Sequence, residues 1–252
     1  MLPLSVAIIA RDEADRLPEA LASVADLAAD LVVLDSGSTD DTVALARAAG
    51  ARVLQTDWPG HVEQKNRALA ACTCSWVLCI DADERVGPEL AASIRQALEQ
   101  EPSVAGFRVR RLSWWQGAPL RHGTWYPDER LRLVRRDRAR WVGRNPHDRL
   151  EVDGPQGRLA GDLLHHPYRD LGEHLRTIDR YSEIAALALA RDGVQARWWD
   201  VALRPPLHIV KALLLKAGLR DGVRGLCVAG LGGAYVLLKW GRRYLDQERA
   251  TG

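Results

Sequence analysis

The sequence predicts an α/β fold with a mainly parallel central sheet and a helical C-terminal appendage. Short apolar runs of strand length alternate with helical stretches through residues 1–103, as in repeated strand–helix–strand units. Two of these runs end in carboxylates, one at Asp35 and the other at Asp81 and Asp83. Ligands of open α/β sheets bind at the carboxyl ends of the strands, so the same pattern predicts a binding site at this edge.

The first two predicted strands are each followed by a polar turn and a helix. Residues 4–10 are apolar except for Ser5 and predict a buried strand, and leucines at helical spacing follow it. Residues 31–34 form the second run, which leads into Asp35 and a turn that contains glycine. Ser38, with Asp41 three residues later, predicts a capping box at the start of the next helix.

The fourth strand carries the strongest chemical signal in the chain. A strand over residues 51–55 and a helix over 61–71 are predicted before it. Residues 76–80 are all apolar, a run too short for a core helix and typical of a strand buried on both faces. Asp81 and Asp83 follow at once, and two such carboxylates repel unless a cation lies between them. Hard oxygen ligands suit Mg²⁺ or Mn²⁺. A solvated acidic turn is the alternative interpretation.

The rest of the chain is predicted to contain more helix than strand. A helix over residues 88–100 leads to a strand over 107–112 with interleaved arginines. An aromatic-rich loop comes next, whose rings suit stacking on a sugar or simply cover the edge of the sheet. A long helix is predicted over 170–191, and further helical segments close the chain.

Charge is distributed unevenly along the 252 residues, although the formal net charge is only +2. Residues 1–103 carry 8 basic and 17 acidic side chains, whereas 104–149 carry 12 and 4, and 194–252 carry 10 and 4. The basic segments favour anionic partners such as phosphates or a membrane surface. Nucleic acid is not among the predicted partners.

The composition changes indicate one domain with two halves and a tail. We predict a domain over residues 1–195, divided into an acidic half (1–103) and a second half (104–195) that begins with a basic segment. Residues 196–252 form a basic tail with apolar helical segments. Cationic flanks beside apolar helical faces are typical of helices that lie in a membrane interface. Closure of the core and a dimer interface are the alternatives for this tail.

Cysteine usage and hydropathy predict a cytoplasmic protein, peripheral on the inner face of the plasma membrane. The four cysteines lack the paired spacing of a metal site, and three of them lie in or beside the strand at residues 76–80. Small buried thiols of this kind are typical of a reducing compartment. The N-terminus lacks a signal-peptide pattern, and no apolar run reaches the ~20 residues needed to span a bilayer.

Two common nucleotide-binding signatures are missing, and another set of motifs takes their place. The first strand is not followed by Gly-x-Gly-x-x-Gly, and the chain has no Walker-type Gly-Lys-Ser/Thr, which disfavours dinucleotide oxidoreductases and P-loop enzymes. The motifs present instead are Ser5–Glu13, Val33–Asp40, Gln64-Lys65-Asn66, Asp81–Glu84, Gly123–Asp128 and the region Arg149–Gly161. With these segments the chain resembles family 2 glycosyltransferases of the GT-A fold, in particular the lipopolysaccharide core β-1,4-glucosyltransferase group. The resemblance implies that residues 1–103 form a nucleotide-binding half and residues 104–195 an acceptor half.

The resemblance implies a site for a nucleotide-sugar at the ends of the first two strands. Family members hold the uridine and ribose with residues that correspond to Ala10, Arg11, Glu13 and Asp35. Stabilising the Ser-Gly-Ser turn is the structural alternative for Asp35. Lys65 corresponds to a residue that offers positive charge to a phosphate, and an exposed helical lysine is the alternative there.

The resemblance also implies a divalent metal, Mg²⁺ or Mn²⁺, that binds the diphosphate. Asp83 is the expected direct ligand, and Asp81 is expected nearer the ribose. His147 lies in a segment that resembles one in which a histidine approaches the metal or diphosphate, so we assign it to the metal site as well.

An inverting transfer needs a base that takes the proton from the acceptor hydroxyl. The corresponding family element is the segment from Tyr126 to Leu133, and Asp128 is the candidate base. The acidic neighbour that usually precedes this residue is Pro127 here, which leaves Glu129 as a rival. A turn residue after proline is the structural alternative for Asp128.

The predicted function is therefore transfer of a hexose, expected to be glucose, from a UDP-sugar to a heptose of the lipopolysaccharide inner core. One alternative acceptor is a polyprenyl phosphate or an intermediate of capsular polysaccharide or exopolysaccharide. A nucleotidyltransferase and a noncatalytic nucleotide- or sugar-binding module are alternatives of other classes. The nucleotidyltransferase would use the same two carboxylates with Mg²⁺.

Overall fold

The computed structural model of the chain describes residues 2–100, 102–144 and 147–251, without the side chains of Arg144, His147, Ala250 and Thr251. Internal contacts group the chain into two compact units. Unit 1 contains Met1–Arg111 and Asp128–His165, and unit 2 contains Leu112–Pro127 and His166–Gly252. The division into a domain over residues 1–195 and a tail over 196–252 stays a prediction.

The described elements follow the strand–helix alternation predicted for the first half. The strands are β1 (Leu2–Ala10), β2 (Ala28–Asp35), β3 (Arg52–Gln55), β4 (Trp76–Cys79), β5 (Glu84–Val86), β6 (Gly106–Trp115), β7 (Ala118–Pro119), β8 (Asp128–Arg135), β9 (Ala139–Arg144), β10 (His147–Val152) and β11 (Gln156–His165). The helices are α1 (Leu17–Ala22), α2 (Thr42–Ala48), α3 (His61–Ala71), α4 (Pro88–Glu99), α5 (Leu171–Arg191), α6 (Trp198–Val210) and α7 (Gly222–Thr251).

The main sheet has a parallel half and an antiparallel half. Its strand order is β3-β2-β1-β4-β8-β6-β11-β5, and β7 pairs with β6 off this path. The pairs among β3, β2, β1 and β4 are parallel, as short strand–helix repeats require. The pairs β4–β8, β8–β6 and β11–β5 are antiparallel. The sheet is therefore mixed, and β9 and β10 form a separate hairpin.

Strand β1 shows how the sheet is covered on both faces. Leu4, Val6 and Ile8 pack into one core together with apolar residues of α1 and α4. Ala7 points to the opposite core, which contains residues of α3 and of the β9–β10 hairpin. Successive side chains of a strand alternate between the two faces, so an apolar run without polar gaps is what a doubly covered strand needs.

A β-bulge in β8 redirects one arginine. Phe107 of β6 pairs with Leu133, and the next residue, Arg108, pairs with Leu131, so Arg132 is the extra residue on β8. Leu131 and Leu133 accordingly belong to the two different cores rather than to the same one. Bulges of this kind re-aim a side chain, and the Arg132 side chain is buried.

Unit 2 is mainly helical. Asp170 caps α5 by accepting a hydrogen bond from the backbone N–H of Glu173 at 2.7 Å, in agreement with the helix predicted there. A π-helical turn (Lys211–Leu215) and a 3₁₀ turn (Gly218–Asp221) connect α6 to α7. The segment Gly218–Arg249 is long and apolar enough, by length and composition, to cross a membrane. The sequence analysis did not identify this segment, because it looked for an unbroken apolar run, and charged residues interrupt this one.

The turn after β2 differs from the predicted capping box. Helix α2 begins at Thr42, and its first N–H donates to Asp40 Oδ1 at 3.0 Å. Ser38 does not cap this helix. Its hydroxyl donates to Asp35 and accepts a hydrogen bond from the backbone N–H of Asp12 at 2.9 Å. Ser38 therefore joins the loops that follow β1 and β2.

Candidate active site

The ends of the parallel strands bring the predicted nucleotide-binding residues together. Ala10, the last residue of β1, pairs in register with Asp35, the last residue of β2. On the other side of β1, the N–H of Ile80 donates to the carbonyl of Ala7 at 3.2 Å, so Asp81 emerges one strand away from Ala10. The edge predicted from the sequence therefore exists within unit 1.

Asp35 is fully buried and closes the turn that follows it. Its Oδ2 atom accepts hydrogen bonds from the N–H groups of Gly37 at 3.0 Å and Ser38 at 3.1 Å, and its Oδ1 atom accepts from the Ser38 hydroxyl. The structural role considered for Asp35 is thus present. Its nucleotide-binding role stays a prediction.

Hydrogen bonds donated from both sides fix the loop after β1 to the loop after β2. Besides the Asp12–Ser38 contact, the N–H of Thr39 donates to Asp12 Oδ1 at 2.8 Å. The N–H of Glu13 donates to Thr42 Oγ1 at 2.8 Å, and that of Ala14 to Asp40 Oδ2 at 3.2 Å. The Arg11 side chain is mostly exposed. Arg11 and Glu13 therefore lie on a loop that hydrogen bonds hold in place at the predicted site.

Three consecutive residues of α3 reach three different partners, because successive helical side chains diverge by about 100°. Gln64 Nε2 donates to the hydroxyls of Ser36 and Thr56, both at 2.8 Å. Asn66 exchanges two hydrogen bonds with the backbone of Trp141 on β9, at 2.8 and 2.9 Å. Lys65, between them, points toward the end of β4.

Lys65 is buried between two carboxylates rather than exposed on the helix. Its Nζ atom lies 2.9 Å from Asp81 Oδ1 and 2.9 Å from Asp148 Oδ2, and 4.4 Å from the ring centroid of Trp141. Burial alone would lower the pKa of Lys65, but Asp81 and Asp148 outweigh it and the pKa is raised. The exposed-lysine alternative is wrong.

Asp81 is held between two cations. Besides Lys65, Arg132 approaches it with Nη2 3.0 Å from Asp81 Oδ2. Burial acts to raise the pKa of Asp81, yet Lys65 and Arg132 hold that pKa far below its usual range. A small pocket of about 10 Å³, enough for about one water molecule, lies beside Lys65 and Asp81 and is also lined by Ile9 and Trp141. Asp81 therefore borders this pocket at the end of β4.

Glu84 is a buried carboxylate at this site to which the sequence analysis gave no role. Its Oε1 atom lies 2.6 Å from Arg132 Nη2 and 3.4 Å from Arg111 Nη1, and its Oε2 atom accepts the N–H of Asp81 at 3.0 Å. Although burial opposes it, the pKa of Arg132 is raised by Glu84 and Asp81. The Nε atom of Arg132 is buried and has no partner among the described residues.

Asp128 and Arg111 extend this charge network. Both lie at the start of the β6–β8 pairing, where they are register partners. Arg111 Nη2 lies 2.7 Å from Asp128 Oδ2, and Arg130 Nε lies 2.8 Å from Asp128 Oδ1. Burial raises the pKa of Asp128, but the two arginines outweigh burial and lower it. The rival, Glu129, lies 3.2 Å from exposed Arg158 instead. The members of the charge network are Lys65, Asp81, Glu84, Arg111, Asp128, Arg132 and Asp148.

Asp83 has a different neighbour from Asp81. Its Oδ2 atom lies 3.4 Å from Nε2 of His165, the last residue of β11. Burial raises the pKa of Asp83, but His165 outweighs burial and lowers it. The predicted partner, His147, begins β10, but its side chain lies outside the described residues. The sequence analysis assigned no role to His165 and missed this pairing.

The donor set around Asp83 can be compared with what a divalent cation needs. Among the described residues, no group of three or more His, Cys, Asp or Glu side chains is arranged to hold a metal ion. Mg²⁺ usually takes only one or two protein ligands and completes its shell with water and substrate phosphates. Two neighbouring ligands of such an ion are about 3 Å apart, given metal–oxygen distances of about 2.1 Å. Asp83 and His165, at 3.4 Å, fit such a pair.

Comparison with known proteins decides the family. The sequence profile described as "Glycosyl transferase family 2" matches residues 5–150, more than half of the chain. The chain belongs to glycosyltransferase family 2. The resemblance stated from the motifs is thereby confirmed, as are the enzyme class and the GT-A type of fold with its helical C-terminal region. Nucleotidyl transfer and a noncatalytic role, the two alternatives of other classes, are set aside.

Two relatives of this family 2 glycosyltransferase align over most of its length. The lipopolysaccharide core biosynthesis glycosyltransferase LpsC of Rhizobium meliloti is 29% identical over 250 residues, which are 96% of this chain and 92% of the relative. The uncharacterized glycosyltransferase RP128 of Rickettsia prowazekii is 42% identical over 231 residues, 86% of this chain and 78% of the relative. A crystal structure of glucosyl-3-phosphoglycerate synthase from Mycobacterium tuberculosis with Mn²⁺ and UDP-glucose superposes with a TM-score of 0.48 at 22% identity, covering 77% of this chain and 80% of that chain.

Proposed function

We propose that this family 2 glycosyltransferase moves a hexose, glucose in the first instance, from a UDP-sugar to a heptose of the lipopolysaccharide inner core. The Rhizobium relative, which aligns over 96% of this chain, is a lipopolysaccharide core biosynthesis enzyme, and this supports the acceptor class. The acceptor is borne on a lipid, so the enzyme works at the cytoplasmic face of the membrane, where nucleotide-sugars are available to it.

The observation that carries the donor assignment is the contrast between Asp81 and Asp83. Asp81 is neutralised by Lys65 and Arg132, at 2.9 and 3.0 Å, whereas Asp83 lies beside His165. A diphosphate needs cationic donors on one side and a divalent cation on the other. Lys65 and Arg132, the two cations beside Asp81, are proposed to supply the first, and Asp83 with His165 the second.

In this proposal Asp83 and His165 hold Mg²⁺ or Mn²⁺, and the predicted ligand His147 stays a further candidate. When bound, the metal supplies Lewis-acid stabilisation of the departing diphosphate. Ala10, Arg11, Glu13 and Asp35 are proposed to hold the uridine and ribose, because their loops are braced against each other at the strand ends. Lys65 and Arg132 bind the phosphates, and Asp81 keeps both cations in position.

Asp128 is the proposed base. The acceptor oxygen forms its bond to the anomeric carbon while the bond from that carbon to UDP breaks, and the hydroxyl proton passes to Asp128. The low pKa of Asp128 keeps it ionised at neutral pH and therefore able to accept the proton. The same low pKa makes Asp128 a weak base. Stabilisation of the departing UDP must therefore supply part of the reduction in the activation barrier of the transfer.

Donor and acceptor screens test the proposal directly. Purified enzyme with Mn²⁺ is offered UDP-glucose and other UDP-hexoses, and UDP release is measured with truncated lipopolysaccharide that ends at inner-core heptose. The product is then analysed by mass spectrometry. We expect UDP-glucose to be used and the core to gain one hexose. Transfer only to a polyprenyl phosphate would overturn the acceptor assignment. So would a lipopolysaccharide core that keeps all its hexoses in a strain from which the gene for this enzyme has been deleted.

A further inference from the structure

Helix α6 exposes a stripe of apolar side chains, whereas a surface helix of a globular protein usually exposes polar ones. Large apolar side chains recur along one side of α6 and the π-helical turn at spacings of four, four, three and four residues, and all of them are exposed: Trp199, Leu203, Leu207, Val210 and Leu214. Residues at this spacing share one helical face. The helix is therefore amphipathic with an apolar side that unit 2 does not cover.

The apolar exposure continues through the connection into α7. Leu215 is 78% exposed and Val223 is 77% exposed, and Leu219 and Leu226 are each more than half exposed. Single exposed leucines are ordinary on protein surfaces, but a continuous series marks a surface that contacts another apolar phase. We call residues 199–226 of this series, with their intervening cations, the apolar face.

Cations are concentrated within the same stretch. Lys211, Lys216, Arg220 and Arg224 are exposed between the apolar residues of the connection. Asp221 is the one acidic residue between positions 201 and 245. It lies 2.8 Å from His122 Nδ1, and its other oxygen accepts the N–H of His122 at 2.9 Å, so it turns inward and offsets the exposed cations only weakly. The apolar face thus combines leucines with positive charge.

The packing of α7 favours a helix that stays within unit 2 over one that crosses a bilayer. A Cβ atom added to Gly232 would lie 2.5 Å from His208 Nε2, and one added to Gly233 would lie 2.7 Å from the Ile209 side chain, so α6 and α7 are in close contact there. Farther along α7, Arg243 donates to the carbonyl of Val194 at 2.8 Å. Gln247 bonds the backbone of Ala196 at 2.6 and 3.0 Å. A membrane-spanning α7 would have to give up these contacts.

Charge also decides between a membrane and a second copy of the chain. A two-fold symmetric dimer would bring the same patch of both copies together. Lys211, Lys216, Arg220 and Arg224 of one copy would then face the same cations of the other, with no exposed acidic partner between positions 201 and 245 to compensate. An anionic lipid surface complements these charges, and its hydrocarbon accepts the leucines.

We infer that the apolar face is a membrane-docking surface that lies in the plane of one leaflet and binds anionic lipid headgroups through its four cations. Leu207, Leu215 and Val223 enter the acyl boundary, while Lys216 and Arg220 remain at the headgroups. This inference deepens the proposed function, which places the acceptor on a membrane. Its test uses no sugar donor, so it fails or succeeds separately from the transfer reaction.

Vesicle flotation of the full-length protein tests the docking surface. Vesicles of phosphatidylcholine alone are compared with vesicles that also contain phosphatidylglycerol, and circular dichroism checks that each variant is folded. We expect the wild-type protein to float with the anionic vesicles. The double variant Leu207→Glu/Leu215→Glu should stay at the bottom of the gradient. Replacing Lys216 and Arg220 by Gln should weaken partitioning about thirtyfold, since each cation near an anionic surface contributes about five- to sixfold and the two factors multiply.

Leu45→Glu on α2 is the matched control, because Leu45 is an exposed leucine of unit 1 and should not affect flotation. In-plane binding also predicts exchange of the bound protein from labelled to unlabelled vesicles, which a spanning helix would not allow. Three results would overturn the inference: no flotation of the wild type, equal flotation of all variants, or a lipid-free dimer in sedimentation velocity that Leu207→Glu/Leu215→Glu dissociates.

Discussion

Nε2 of His165 lies 3.4 Å from Oδ2 of Asp83, and the antiparallel pairing of β11 with β5 brings them together. In that pairing His165 is the register partner of Glu84, the residue that follows Asp83. A strand from the end of unit 1 therefore delivers an imidazole to the acidic motif after β4. This relationship separates Asp83 from Asp81, whose neighbours are cations.

The Asp83–His165 pair predicts where Mn²⁺ binds. Asp83→Asn and His165→Ala should each weaken Mn²⁺ binding in the presence of UDP by at least about tenfold, because each removes one of the few protein ligands. Isothermal titration calorimetry with Mn²⁺ measures this directly. His166→Ala is the matched control, since His166 stacks on Trp114 in unit 2 and should leave Mn²⁺ affinity unchanged.

The same titration distinguishes the two histidines proposed for the metal. If His147→Ala weakens Mn²⁺ binding and His165→Ala does not, His147 is the metal ligand, as the sequence predicted, and His165 is not. Equal losses in both variants would indicate that both side chains are ligands.

Asp128 and Glu129 are adjacent carboxylates with different surroundings, which makes them a matched pair. Asp128→Asn should lower kcat by about 10²-fold or more while UDP-sugar affinity is kept, because the amide cannot accept the proton. Glu129→Gln should keep nearly full activity, since Glu129 pairs with exposed Arg158. Steady-state kinetics with measured UDP affinity provides the comparison. Normal turnover by the Asp128 variant would require another base.

Lys65 and Arg67 lie on the same helix, but Lys65 is largely buried and Arg67 is more exposed. Replacing each in turn compares the contributions of a buried and an exposed cation to stability. Lys65→Met removes the cation between Asp81 and Asp148; Asp81 keeps Arg132, but the largely buried Asp148 loses its ion-pair partner, so the free energy of unfolding should fall by about 3 kcal/mol. UDP affinity should fall as well. Arg67→Met breaks exposed contacts with Asp57 and Glu63 and should change stability little. Urea unfolding and UDP titration measure both effects, and equal losses in the two variants would contradict the buried role of Lys65.

The sequence predicts elements well where the signal is local. The helix predicted over residues 61–71 matches α3, and the strand ending near residue 80 matches β4, because apolar periodicity and length determine both. The carboxylates at the strand ends follow from these assignments. Asp35 and Asp81 therefore lie at the edge where the sequence analysis expected them.

The partners of those carboxylates could not be predicted from the same signals. Glu84 belongs to a strand of only three residues, too short for a periodic pattern. Arg132 reaches Glu84 because a bulge inserts it into β8, and Asp148 lies on a hairpin that forms its own two-stranded sheet among the described strands. These contacts join positions far apart in sequence. The position of Glu84 directly after the Asp-Ala-Asp motif is a local signal for its role.

Stability should depend on pH through His174. Burial lowers the pKa of His174 to about 4, and its Nδ1 accepts a hydrogen bond from Trp115 Nε1 at 3.1 Å, so the folded form keeps it neutral. The unfolded chain takes up the proton near pH 6.5. The free energy of unfolding should therefore fall by about 2–3 kcal/mol as the pH drops from 6.5 to 4. His174→Gln keeps an acceptor without titrating, so urea unfolding of this variant should lose most of the slope between pH 6.5 and 4.5.

Replacing Gly161 of β11 by alanine should strongly destabilise the fold, although it adds only one methyl group. Its φ angle is +84°, and an added Cβ would lie 2.3 Å from the backbone nitrogen of Leu90 and 2.8 Å from the carbonyl carbon of Glu89 in α4. Gly161→Ala should therefore lower the free energy of unfolding by more than about 2 kcal/mol, because neither the backbone angle nor the helix start can relax easily. Gly241→Ala in α7 meets no atom within 4 Å and should raise stability by about 0.5–1 kcal/mol. Chemical unfolding of both variants measures the difference, and a neutral Gly161→Ala would mean that β11 and α4 are not in this close contact.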